Sequence, residues 1–178
     1  LLPMYIQNGL LLPVAMAGMI MLPGGVVNAI TSAVAGRLYD NVGAKRPALV
    51  GVVLALVGVL MLLTTSTRTT VAFVIAAHII LMIGCPLFMA PSQTSALNAL
   101  PGILSNDGST ILNTMQQVVG AVATAVATSL LELGRRGTAG TAAARFTTGA
   151  HYGFYFTLIL AIIAFVFVLM IREPENQK

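Results

Sequence analysis

The sequence predicts an all-α membrane protein of about five transmembrane helices, and three observations carry that prediction. Hydrophobic residues make up 57% of the chain and charged residues only 8%, against roughly 45–50% apolar content in soluble domains. The apolar residues gather into five runs, each close to the roughly 20 residues that cross a hydrocarbon core. The charges sit almost entirely between those runs. Lipid offers no partner to backbone N–H and C=O groups, and runs this long and continuous do not suit barrel strands, so the spans are read as helices.

The elements follow in order. Residues 1–6 are too few to cross a membrane and read as the tail of a preceding helix. The opening Leu1-Leu2-Pro3-Met4-Tyr5 has no basic leader and does not read as a secretory signal. The first span, 14–35, carries a ladder of small residues, Gly18, Gly25, Ala29, Ser32 and, just beyond it, Gly36, suited to close helix packing. Asn28 and Thr31 lie beside that ladder and are candidates to look inward. A charged turn at 36–46 leads to the second span, 47–63. The third span, 71–97, is interrupted by Pro86 and Pro91, each of which removes a backbone donor. Their reading is either a hinge in a moving helix or a static kink.

A tight link at 100–107 precedes the fourth span, 111–131, with Ser105, Asn106 or Asp107 as candidate helix caps. That span carries Thr110, Thr114, Gln117, Thr124 and Thr128 along one face, with Asn113 and Gln116 beside them. Such a strip either packs through interhelical hydrogen bonds or lines a wet path; Asn113, Gln116 and Gln117 are its best cavity candidates. Residues 132–152, rich in Gly, Ala and Thr, read as a flexible external connector. Glu132 at its edge is read as solvated or paired with Arg135 or Arg136. The last span, 154–171, has no polar residue after Thr157 and is expected on the outside of the bundle against lipid, anchored by Tyr152, Tyr155 and Phe156.

Charge and cysteine content narrow the function. The net charge of +4 is spread over loops and forms no polyanion-binding patch, which argues against nucleic acid. The single cysteine, Cys85, excludes an internal disulfide and any CxxC metal motif, and no metal site is expected. No GxSxG, HExxH or glycine-rich phosphate loop occurs, so an enzyme is not expected. Placing the 36–46 turn in the cytoplasm puts Arg37, Lys45, Arg46, Arg172 and Lys178 inside and Arg68, Arg135, Arg136 and Arg145 outside. On that choice the C-terminus is cytoplasmic.

The turn itself is the most specific feature. Its spacing Gly36-x3-Asp40-x2-Gly43-x-Lys45-Arg46, with Arg37 inside it, resembles the signature loop of the major facilitator superfamily, although Asn41 stands where a basic residue usually follows the acid. Leu22-Pro23-Gly24-Gly25 and the stretch from Asn113 to Gly120 look like the late helices of the fourteen-helix drug/proton antiporter branch. That resemblance implies a fragment holding most of the C-terminal six-helix half of a transporter in a bacterial plasma membrane. It also implies a preceding transporter half as partner, a proton gradient and no cofactor. The signature residues would form a gating latch, with Asp40 pairing with Arg37, Lys45 or Arg46 or facing a helix N-terminus, and Gly36 allowing a close helix approach.

By the same resemblance the third span lines the central cavity, and His78, Met82, Cys85, Met89 and Ser92 share one helical face there. His78 is the one ionisable group clearly inside a span and is a functional candidate on that ground. The expected activity is proton-coupled efflux of small lipophilic or cationic drugs. The alternatives are a carrier of a sugar, organic anion or metabolite, and a membrane scaffold without transport.

Overall fold

A computed structural model describes residues 1–171, apart from the side chains of Ile103 and Ser105. Arg172, Lys178 and the C-terminal tail assigned to the cytoplasm lie outside the described residues. Among the described residues six helices occur in the order α1 (Leu2–Asn8), α2 (Val14–Val42), α3 (Lys45–Leu63), α4 (Val71–Asn98), α5 (Ser105–Arg136) and α6 (Ala142–Met170), with a single 3-10 turn at Gly102–Leu104. Helices α2 to α6 are each long and apolar enough to cross a membrane. There is no strand among the described residues.

The helices run further than the apolar segments. At 1.5 Å per residue, the 29 residues of α2 reach about 43 Å, well past a hydrocarbon core of about 30 Å. Its last turns therefore carry Arg37 and Asp40 beyond the apolar zone while remaining helical. The larger difference lies at 132–152, where the expected flexible connector shrinks to residues 137–141. Glu132 pairs with Arg135 and Arg136, each at 2.8 Å, and closes the last turns of α5. The Thr141 hydroxyl oxygen accepts the Ala144 N–H at 3.3 Å and caps α6. Gly149 lies against the Leu131 carbonyl, and a side chain there would also stand 3.2 Å from the Arg135 nitrogen. The Gly, Ala and Thr content of this stretch thus serves close helix packing.

One other local expectation differs. Leu104 occupies the N-cap of α5 without a side-chain cap bond, and the Asn106 carbonyl instead accepts the Ser109 and Thr110 hydroxyls. Helix α4 runs unbroken through Pro86 and Pro91, both buried.

Helix α4 is the centre of the bundle, with α3 on one side and α2 on the other; α6 packs on the far side of α3 and carries α5. Helix α1 wedges between α2 and α6. Its Tyr5 is fully buried and donates its hydroxyl to the Ser66 carbonyl at 2.7 Å, tying α1 to the α3–α4 connection. Tyr5, Ile6, Ile20, Leu62, Val74 and Phe154 gather there into the main apolar cluster. Ala48, Val52 and Val168 join α3 to α6 at the opposite end. Beyond Phe154, α6 leaves Tyr155, Ile159, Ile163 and Phe167 exposed.

Candidate functional site

The signature segment is a helix end followed by a two-residue turn. Helix α2 continues to Val42, and Gly43 adopts φ 77°, a left-handed value that favours glycine. Its N–H donates to the Tyr39 carbonyl at 2.9 Å, and α3 begins two residues later at Lys45. Arg37, Asp40 and Arg46 are exposed and Lys45 is half-buried. Among the described residues Asp40 forms no ion pair, so the expected pairing with Arg37, Lys45 or Arg46 is not made here. Gly36 faces open space, and no helix among the described residues makes the close approach expected there.

The contact at this end comes from a residue outside the motif. Asn98 at the end of α4 donates its amide to the Tyr39 hydroxyl at 3.0 Å. Tyr39 follows the fully buried Ala35 by one helical turn.

Further along the α2–α4 seam, His78 is 5% exposed and packs into the notch left by Gly24. A side chain at Gly24 would stand 2.6 Å from the ring Nε2. The ring Nδ1 is buried without a partner among the described residues. Lower down, Asn28 donates to the Met82 carbonyl at 3.4 Å and stands 3.7 Å from the Met82 sulfur. In an α-helix that carbonyl would accept from residue 86, and Pro86 has no N–H to give. Asn28 therefore answers a vacancy made by proline on the neighbouring helix. Thr31 and Cys85 are half-buried, Met89 is exposed, and the Ser92 hydroxyl donates to the Phe88 carbonyl at 2.7 Å. The face predicted on α4 is thus closed against α2 at His78 and open at Met89.

Helix α5 is the least embedded helix. It meets α6 through Ala127, Leu131 and Gly134, and residues 113–122 are all exposed. Asn113, Gln116 and Gln117 sit in that stretch and make no hydrogen bond among the described residues. The hydroxyls of the same strip are satisfied within the helix: Thr114 donates to the Thr110 carbonyl and Thr124 to the Gly120 carbonyl, both at 2.8 Å. Thr124 and Thr128 continue the strip into a groove of about 370 Å³ walled by Leu2, Leu81, Phe154 and Thr157. The amide strip and this mostly apolar groove form one surface. No cluster of three or more metal-ligating side chains occurs among the described residues.

The family model of the Major Facilitator Superfamily matches residues 1–124. The chain belongs to that superfamily. It is 39% identical to the lincomycin resistance protein LmrB of Listeria monocytogenes over 183 residues, covering 98% of this chain and 39% of that protein. Identity to the lincomycin resistance protein LmrB of Bacillus subtilis is 38% over 184 residues, covering 98% of this chain and 38% of that protein. The multidrug resistance protein Stp of Mycobacterium tuberculosis is 28% identical over 127 residues, covering 71% of this chain and 24% of that protein. This chain thus spans about two fifths of the length of the LmrB relatives it matches. No solved structure matches.

Proposed function

We propose that the chain is the C-terminal part of a fourteen-helix secondary transporter that exports small lipophilic or cationic drugs by alternating access, driven by a proton gradient. The observation that carries this reading is the α5 surface: three uncommitted amides continuing into an apolar groove without any ionised side chain. Flexible and apolar walls with a few polar groups suit varied lipophilic molecules, and the absence of a basic side chain among the groove residues disfavours anions. The names of the relatives, for lincomycin and multidrug resistance, support the same substrate class.

In this reading Asn113, Gln116 and Gln117 face the substrate, with Met89 at the open end of the α4 face. The preceding transporter half supplies the opposite wall. The signature residues Gly36, Arg37, Asp40, Gly43, Lys45 and Arg46 lie at the cytoplasmic surface of a bacterial plasma membrane. Asp40 is exposed and unpaired among the described residues and is free to latch onto the other half. The C-terminus then lies in the cytoplasm.

The test uses inverted membrane vesicles containing the full-length protein, with ethidium and lincomycin as probes. Uptake is expected to require the pH gradient. Asp40→Asn is expected to lower uptake by about tenfold, the equivalent of roughly 1.4 kcal/mol at the latch, without lowering the amount inserted. No uptake of either probe would overturn the efflux reading, and unaltered uptake by Asp40→Asn would remove the latch.

A further inference from the structure

We propose that His78 is a proton-binding site of this transporter, set in the α2–α4 seam, and that loading it favours a rearrangement of α2 against α4. The proposal rests on the efflux reading above. A neutral imidazole has one donor and one acceptor nitrogen. Nδ1 of His78 is buried and has no partner for either role among the described residues. The ring is fixed there by shape, because Gly24 leaves it room that any side chain would take.

Among the described residues no neighbouring group neutralises a charge at this place. Helix α2, which the ring faces, has no titratable side chain between Val14 and Gly36, and α4 offers only Cys85. Around the seam, the Tyr5 hydroxyl is committed to Ser66, and His151 stands 3.5 Å from the Thr65 hydroxyl. Helix α3 has no titratable side chain between Pro47 and Leu63. A proton taken from water makes both ring nitrogens donors, and Nδ1 then points at nothing that accepts among the described residues. The loaded ring favours whichever arrangement of α2 and α4 brings it to water or to a carboxylate elsewhere in the whole transporter. Linkage makes this reciprocal: the rearranged state binds the proton more tightly by the factor with which the proton favours that state. The nearest polar tie, Asn28 to Met82 at 3.4 Å, is long enough to be remade during such a shift.

The experiment uses the full-length transporter in proteoliposomes with ethidium, whose charge does not vary with pH. For His78→Gln, which retains an amide N–H but cannot titrate, the ratio of gradient-driven uptake to gradient-free exchange is expected to fall about tenfold, within the range of ordinary coupling free energies. An unchanged ratio overturns the proposal. Should that variant fail to insert, the wild-type protein answers alone through 15N-histidine spectra, the ring at 78 being assigned by its contact with Gly24. Its nitrogen shifts are expected to change from neutral to cationic as the pH is lowered; a ring that stays neutral down to the pH at which the protein unfolds overturns the proposal. Absence of ethidium transport by the wild-type protein would count against the efflux reading, and the histidine spectra would still decide the proton site.

Discussion

Helix α4 holds its two main neighbours in opposite ways. Against α3 the contact is backbone on backbone: a side chain at Gly84 would stand 2.5 Å from the Ala55 nitrogen and 2.6 Å from the Gly51 carbonyl oxygen. Against α2 the contact is made by polar pegs, with His78 in the Gly24 notch, Asn28 on the Met82 carbonyl and Asn98 on the Tyr39 hydroxyl. Lipid provides no hydrophobic drive between helices, so association rests on shape and on hydrogen bonds. The glycine seam uses shape and admits one register. The polar seam uses bonds that can be exchanged one at a time, and it is the seam that carries the buried ionisable group.

The largest expected effect breaks the glycine seam. Gly84→Leu puts a side chain against backbone atoms that cannot rotate away. Overpacking costs about 1–3 kcal/mol where a core can yield, and this site should exceed that range. The full-length protein is expected to lose most of its folded fraction, read by size-exclusion recovery and thermal unfolding. Gly18→Leu on α2 is the control, because nothing lies within 4 Å of that position. Equal losses at both positions would erase the distinction between the seams.

A smaller effect is expected at the polar seam. Gly24→Ala meets a side chain, the His78 ring, and should cost about 1–2 kcal/mol, since a ring can shift where backbone cannot. Adding His78→Ala removes the obstacle. The double variant is therefore expected to recover part of the loss, with a coupling energy of about 1 kcal/mol in thermal unfolding. Strict additivity would mean that the ring and the notch do not act on each other.

Much of this was legible in the sequence, and the remainder has physical reasons. Hydropathy runs revealed five spans, and the charge-and-glycine spacing at 36–46 pointed to the superfamily, because both signals are local. The start of α6 at Ala142 was hidden, since Gly, Ala and Thr suit a loop and a tight helix crossing equally; only the Leu131–Gly149 contact distinguishes them. His78 stood out as the single ionisable group clearly within a span, but its notch at Gly24 needs a partner 54 positions away. Tyr39 with Asn98 was invisible for the same reason. The amides at Asn113, Gln116 and Gln117 were read as either packing or cavity groups, and among the described residues they are left exposed.

The smallest effect sharpens the polar seam most. Asn28→Ala leaves the Met82 carbonyl without a donor, because Pro86 has removed the helical one. The loss should be about 0.5–1.5 kcal/mol, the net worth of one hydrogen bond. Pro86→Ala restores an N–H directed at that same carbonyl. In the Pro86→Ala background the penalty of Asn28→Ala is therefore expected to shrink toward zero, measured as a shift in thermal unfolding of the full-length protein. If the penalty stays the same in both backgrounds, Asn28 does not stand in for the lost helical donor. Its amide would then belong to the cavity, and Asn28→Ala would act on ethidium uptake more than on stability.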